Sequence, residues 1–256
     1  MYKALCEEFQ KYLLLKSTPI AVKMLKSEDE IPEGAVRPLK DLGYHLSLCQ
    51  AFTLARRQGK TIAMFKEDNW CCEPVIGYGF EKPPEFFLEG NNRYPETART
   101  LEAGRNWATN QFPKFTPYQY KGIVSAPLNK ANFEPEVVIV YCDPAQLTQI
   151  LITVNWIDGN DVVCALGGHA VCVYAVVPVI QKGQYQISIP CIGDRKRAGA
   201  QDDELIFSFP LNRADDLVAG FKANLGFPIR YDVMPEYQLP ASYVKIGKMM
   251  GMFPDD

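Results

Sequence analysis

The opening of the chain carries a helical pattern of apolar residues that gives way to a strand pattern. Within residues 2–16, apolar side chains recur close to helical spacing at Leu5, Phe9, Tyr12, Leu13 and Leu15. This spacing predicts a helix, which Pro19 is expected to end. The IAVKML segment that follows alternates between two sets of side chains and predicts a strand. A second helix is predicted from about Leu46 to Gln58, with Gly59 as its C-terminal cap.

The remaining pattern mixes strands and helices. Strands are predicted in TIAMFK, KGIVSAPL, EVVIVYC, YQISIP and ELIFSFP, with a further candidate in NDVVCAL. Helices are predicted in PPEFFLE, in PETARTLEAGRNWATNQF with Pro95 near its first turn, in PAQLTQILITVNWI, within GHAVCVYAVVPVI, in NRADDLVAGFKANLG with Asn212 and Gly226 as its caps, and near PASYVKIGKMMG. Because the order lacks a strict βαβ rhythm, we expect a single α+β or mixed α/β domain over residues 1–256, with helices flanking one mixed sheet.

Charge and composition exclude several classes of protein. The 256 residues carry 27 Lys and Arg against 30 Asp and Glu, a net charge of −3. This balance argues against a nucleic-acid partner and against a membrane surface. The N-terminal stretch lacks the basic start of a secretory leader, so we expect a cytoplasmic protein. The apolar MMGMF near the C-terminus would suit either internal packing or a homo-oligomer contact.

Eight cysteines are the main chemical signal, and in a reducing cytosol they would be thiols or metal ligands. Cys6, Cys142 and Cys164 lie in apolar runs and are expected in the core. The other five lie near glycines, prolines, charges or predicted ends of elements: Cys49, Cys71, Cys72, Cys172 and Cys191. Four of these positions could meet at one soft metal centre, with one ligand from the adjacent pair at 71–72. The alternative is that they are half-buried thiols with no common task.

Other polar residues surround these cysteines in sequence. His45 precedes Cys49 by four residues and His169 precedes Cys172 by three, so either histidine could share a helical face with a ligand. Catalytic templates such as G-x-S-x-G, H-E-x-x-H and the phosphate-binding glycine loops are missing from the sequence. The acidic run of Asp202, Asp203 and Glu204 is expected to be a solvated turn rather than a cluster of general bases.

Longer motifs identify a family resemblance. They are TPIAVKML, CQAFTLARRQGK, DNWCCEPVIGYGF, CDPAQLTQIL, GHAVCVYAVVPVI and, most specific, IPCIGDRKRAGAQDDELIFSFP. With these the chain resembles, over nearly its whole length, the domain of unknown function 169 family, cytosolic proteins frequent in anaerobic bacteria and archaea. The resemblance implies a recurring cysteine set that corresponds here to Cys49, one of Cys71 and Cys72, Cys172 and Cys191. It implies no reaction.

Four converging thiolates would bind a soft group, and the sequence favours a [4Fe–4S] iron–sulfur cluster with a redox or Lewis-acid role. Cations at Arg56, Arg57, Arg195 and Arg197 would offset the negative charge of the cluster. If one iron stays open, His45, His169 or Arg195 would place a small-molecule substrate. The alternatives are a metal-free protein that binds a small anion or cofactor with these arginines and an aromatic pocket, and a structural zinc protein. The sequence leaves open whether the chain is an enzyme and which redox partner it has.

Overall fold

The centre of the fold is a six-stranded sheet in which every neighbouring pair of strands is antiparallel. This computed structural model describes residues 2–223 and 241–253. The strands are β1 (Ile20–Leu25), β2 (Ile62–Phe65), β3 (Gly122–Pro127), β4 (Val137–Cys142), β5 (Gln186–Ser188) and β6 (Leu205–Pro210). Their order across the sheet is β2-β3-β1-β4-β6-β5. The α+β prediction is therefore confirmed, with helices flanking an antiparallel sheet.

Eleven α-helices are found in the described residues. They are α1 (Lys3–Leu13), α2 (Leu48–Gln58), α3 (Cys72–Gly77), α4 (Glu85–Leu88), α5 (Leu101–Asn106), α6 (Pro144–Asp158), α7 (Val171–Tyr174), α8 (Val177–Lys182), α9 (Ile192–Ala198), α10 (Ala214–Ala223) and α11 (Ala241–Met249). None of the helices in this part of the chain is long and apolar enough to cross a membrane.

The sheet separates two apolar layers because side chains alternate along each strand. On one face, α1, α6 and α10 cover residues such as Val138, Val140 and Phe209. On the other face, Ile139 and Tyr141 of β4 pack with a layer that includes α2, α3, α7 and α8. Of the cysteines singled out from the sequence, Cys49, Cys172 and Cys191 lie in this second layer.

The apolar pattern located most elements correctly. The predicted strand IAVKML is β1, and the helix capped by Gly59 is α2, whose Ser47 and Gln50 form a reciprocal capping box. The predicted helix in GHAVCVYAVVPVI is instead two short helices, α7 and α8. Pro178 explains the break, since it lies in the first turn of α8 and has no N–H for a hydrogen bond to the preceding turn.

Three other expectations differ from the structure. The helix expected to start near Pro95 starts only at Leu101, because the Thr100 hydroxyl accepts the Ala103 N–H and caps it there. The NDVVCAL segment is not a strand; it is tied to β5 by side chains, through the amide of Gln186 on the carbonyl of Ala165. Asn212 lies within a 3-10 turn rather than at a helix cap, and Gly226 lies outside the described residues.

Candidate functional site

Three cysteines distant in sequence meet in the layer that covers one face of the sheet. Cys49, Cys172 and Cys191 pack in one apolar cluster, and Cys172 and Cys191 lie close enough to the thiol of Cys49 to raise its pKa. Cys49 and Cys172 are buried, and Cys191 is half-buried against the same apolar cluster. These three residues, the cysteine group, come from separate segments that only the tertiary fold brings together.

Local structure explains how each sulfur reaches this point. Cys49 is the second residue of α2, and Cys172 is the second residue of α7. Cys191 is the N-terminal cap of α9, immediately after the strand β5 and Pro190. The first N–H groups of a helix have no partner within the helix, so sulfur atoms placed there meet exposed backbone donors.

The sulfur of Cys191 is the one best supported as an anion. Its pKa is lowered to about 6 by the hydrogen bond from Cys49, against the opposing effect of burial, and by the N–H groups of Val171, Asp194 and Gly193. The hydrogen bonds with Cys172 and Cys191, together with burial, raise the pKa of Cys49 well above the ordinary thiol value. The surroundings therefore favour the thiolate at Cys191 and the thiol at Cys49.

The adjacent pair at 71–72 divides into one cysteine near the group and one away from it. Cys71 caps α3, is half-buried, and is close enough to Cys172 for the two sulfurs to interact electrostatically. Burial raises its pKa, and its thiol donates to a carboxylate oxygen of Glu73 at 3.2 Å. Cys72 is exposed, and burial and the charge of Glu73 raise its pKa.

A buried polar network lies behind Cys49. The guanidinium of Arg56 donates to both carboxylate oxygens of Glu204, at 2.5 and 3.0 Å. The hydroxyl of Tyr141 donates to Asp194 at 3.0 Å, while the other oxygen of Asp194 is enclosed without a partner. Burial raises the pKa of Asp194 to about 7, against the Tyr141 hydrogen bond, and the charge of Cys191 raises it further.

The sequence predicts only some of the residues in this network. The prediction of a solvated acidic turn holds for Asp202 and Asp203, which are exposed, but is wrong for Glu204, which is 4% exposed. Asp194 was missed although it lies three residues after Cys191, a spacing that puts two residues on one face of a helix. No local signal singles out Tyr141, since it is one of several alternating residues of β4.

The three other arginines predicted as site residues each have a partner within the protein. Arg57 reaches Glu204 at 3.4 Å, and Arg197 lies over the Trp70 ring at 5.0 Å from its centroid. Arg195 donates to the carbonyl oxygens of Pro190 and Gln201, so it fastens the loop around α9.

The two histidines also differ in position. His45 is exposed in the segment before α2. His169 is half-buried and close to Arg93 and Glu73, and burial and then the charge of Arg93 lower its pKa.

The cysteine group matches a soft metal in the type of its donors. Within residues 2–223 and 241–253, however, no set of three or more His, Cys, Asp or Glu side chains is already arranged to hold a metal ion. Cys71 illustrates the difference, because its thiol is hydrogen-bonded to Glu73. The backbone therefore brings suitable donors together, and side-chain rotation would be required to direct them at one point.

Sequence comparisons agree with this set of motifs. The profile of the domain of unknown function 169 (DUF169) family, described as an uncharacterised ArCR, matches residues 8–220. An uncharacterized protein of Methanocaldococcus jannaschii, MJ0308, is 25% identical over 222 residues, which cover 83% of this chain and 90% of the relative. No solved structure shows significant similarity to the chain. Because the profile covers most of the sequence, including all the cysteines of the site, the protein belongs to the DUF169 family.

Proposed function

We propose that this protein binds an iron–sulfur cluster of the [4Fe–4S] type through Cys49, Cys172 and Cys191, with Cys71 as the fourth ligand. The observation that carries the proposal is that Cys49, Cys172 and Cys191, from three separate segments, pack in one apolar cluster, where the other two cysteines raise the pKa of Cys49. Thiolates are the ligands of iron–sulfur clusters, and a set dispersed over four segments is unlike the paired knuckles of a structural zinc site. The family and the relative are both uncharacterised, so the comparisons supply no activity.

The groups around the sulfurs favour the binding of a negatively charged group. Backbone N–H groups of Val171, Gly193 and Asp194 face the sulfur of Cys191. Such donors stabilise thiolates and would raise the reduction potential of a bound cluster. The positive charge of Arg56, by contrast, is neutralised by Glu204. The chain therefore favours the anion mainly through backbone donors rather than through the arginines.

The number of ligands decides the role. A cluster held by four cysteines would transfer electrons, whereas one held by three would keep an iron open as a Lewis acid. To serve as the fourth ligand, Cys71 would have to leave the carboxylate of Glu73. All eight cysteines are free thiols in the structure, which suits the reducing cytosol that we propose as the location.

Metal analysis of protein purified without oxygen tests the proposal. We expect a brown protein with about four iron and four sulfide per chain. The Cys191→Ser variant is expected to lose most of this iron and the visible absorption. Cys164→Ser is the matched control, because Cys164 is also half-buried and its thiol donates to the carbonyl of Ile187.

Three results would contradict the proposal. The first is a colourless protein that takes up no iron after chemical reconstitution. The second is one zinc per chain in place of iron, which would identify the site as structural zinc. The third is a Cys191→Ser variant that folds and keeps its full iron content, since this would remove Cys191 from the ligands.

A further inference from the structure

We propose that Tyr78 is a positioning residue of the cysteine group, and that it acts by fixing the backbone of Cys172 at the start of α7. This role rests on the proposed function, because Cys172 is one of the ligands named there. The contacts that carry it are made by the chain itself, so they can be tested before any metal binds. Tyr78 acts through Cys172 and is not itself a ligand.

A buried hydrogen bond joins Tyr78 to Cys172. The hydroxyl of Tyr78 donates to the carbonyl oxygen of Cys172, with the two oxygens 2.5 Å apart. Tyr78 is 0% exposed, so water cannot replace this bond if it is lost. Tyr78 is also the C-terminal cap of α3, and the bond therefore connects the end of α3 to the helix that carries Cys172.

The carbonyl of Cys172 needs a partner from outside its own helix. α7 has only four residues, and in a longer α-helix the Val176 N–H would donate to Cys172. It donates to Val173 instead. The last carbonyls of a helix must find acceptor partners elsewhere, and Tyr78 supplies one for Cys172. Without the hydroxyl this carbonyl would be buried and unpaired.

The backbone just before Cys172 is strained. Ala170 is the N-terminal cap of α7 and has a φ of +52° and a ψ of +38°, in the left-handed region. This conformation is unfavourable for a residue with a Cβ, and it persists only where surrounding contacts hold it. A four-residue helix has few hydrogen bonds of its own with which to do so. The bond from Tyr78 therefore opposes the relaxation of this helix start.

Packing beside the hydrogen bond fixes α3 against α7. A Cβ added at Gly77, the last residue of α3, would lie 2.5 Å from a methyl carbon of Val173. The two contacts thus join consecutive residues of both segments, 77–78 with 172–173, so α3 cannot slide along α7 without breaking them. Because Cys71 caps the other end of the short helix α3, the same contacts relate its position to that of Cys172.

The test measures alkylation of Cys172 by iodoacetamide in the reduced, metal-free protein, with each modified cysteine quantified by mass spectrometry. Cys172 is 4% exposed, so it reacts only when the start of α7 opens. Tyr78→Phe keeps the ring and removes the hydrogen bond, and we expect Cys172 to react at least about fivefold faster. Cys142, 1% exposed on the opposite face of the sheet, is the internal control and should keep its rate.

Tyr174→Phe is the matched control variant. Tyr174 lies in the same helix and is 4% exposed, and its hydroxyl also donates to a backbone carbonyl, that of Gln111, at 3.2 Å. Because this bond does not involve Cys172, its loss should change the Cys172 rate much less. Ala170→Gly is a second variant that tests the same balance from the other side. It relieves the strained backbone, so Cys172 should react more slowly than in the wild type.

The iron-loaded protein provides a spectroscopic readout. We expect Tyr78→Phe to change the g values of the reduced cluster in electron paramagnetic resonance, and Tyr174→Phe to leave them unchanged. Unchanged g values in Tyr78→Phe would overturn the proposal. So would an unchanged Cys172 rate, an equal acceleration of Cys172 and Cys142, or faster alkylation of Cys172 in Ala170→Gly. Iron content reports on the cysteines and the metal-free alkylation rates report on Tyr78, so either proposal can fail alone.

Discussion

The guanidinium of Arg56 stacks on the ring of Tyr141, with its carbon 3.7 Å from the ring centroid. Arg56 lies near the C-terminus of α2, whose N-terminus carries Cys49, and Tyr141 lies on the central strand β4. The Tyr141 hydroxyl in turn holds Asp194, which follows Cys191 in α9. One continuous polar path therefore connects the sheet to two of the helices that carry the cysteine group.

Removal of the Tyr141 hydroxyl tests this path. In Tyr141→Phe the carboxyl of Asp194 loses its one hydrogen bond from a side chain in the described residues, and its other oxygen is already unpaired. We expect the free energy of unfolding to fall by about 1–3 kcal/mol, as measured by urea denaturation. Tyr118→Phe is the control, because its hydroxyl bonds Glu81 on the exposed surface and its loss should change stability little. Equal stability of Tyr141→Phe and the wild type would contradict this account.

The pair of Arg56 and Glu204 predicts a specific dependence of stability on pH. Burial raises the pKa of Glu204, but the hydrogen bonds and charges of Arg56, with smaller contributions from Gln201 and Arg57, outweigh it and leave the pKa lowered. A carboxylate whose pKa is lower in the folded state stabilises the fold above its unfolded pKa of about 4.3. This stabilisation is lost as the pH falls through the lower, folded value.

Glu204→Gln should therefore cost about 3–5 kcal/mol near neutral pH, since it leaves Arg56 buried without a counter-charge. The difference from the wild type should shrink as the pH falls below about 4.3. Urea denaturation across this range measures both effects. Asp203→Asn, in an exposed pair with Lys16, is the control and should change stability little. A difference between Glu204→Gln and the wild type that stays constant with pH would show that the charge of Glu204 is not the cause.

The sequence predicted the fold better than it predicted the site. Strands such as β1 and helices such as α2 were found because their spacing and caps are encoded by adjacent residues. The prediction failed where tertiary contacts compete, as in the NDVVCAL segment at 160–166, which is tied to β5 by side chains instead of a strand ladder.

The cysteines stood out for the same local reason, because glycines and prolines mark the loops that position them. Their mutual contact could not be predicted from spacing, since residues 49, 172 and 191 are joined only by the folded layer. Arg93 was not predicted at all. Nothing in its neighbouring residues indicates that Trp107 and Glu73 will enclose its guanidinium, and an isolated arginine in a loop is normally exposed.

The adjacent cysteines at 71 and 72 allow a matched comparison under the proposed function. Cys71 is half-buried and close enough to Cys172 to interact with it electrostatically, whereas Cys72 is exposed. We expect Cys71→Ser to retain less than about half of the wild-type iron and sulfide, since one ligand of four is lost. Cys72→Ser should retain all of it. Iron and sulfide analysis of both variants, purified in parallel without oxygen, decides the question. If Cys72→Ser loses iron and Cys71→Ser does not, the fourth ligand is Cys72 and not Cys71.

The close approach of Gly90 to Gly104 predicts a stability effect in the loop that carries Arg93. The carbonyl of Gly90 accepts the Arg93 N–H, and Gly90 has a φ of +87°. A Cβ added at Gly90 would lie 2.3 Å from the backbone nitrogen of Arg105 in α5, the helix that precedes Trp107. Neither a strained backbone nor a backbone clash can be relieved by rotating a side chain.

Gly90→Ala is therefore expected to lower the free energy of unfolding by about 2–5 kcal/mol, from the combined cost of positive φ and overpacking. Gly34→Ala is the control that separates the two costs. Its φ is +76°, but nothing lies within 4 Å of an added Cβ, so only the conformational cost of about 1 kcal/mol should remain. Urea denaturation measures both variants. Equal losses in the two would mean that the contact between Gly90 and α5 contributes nothing, and that the loop bearing Arg93 is positioned by other contacts.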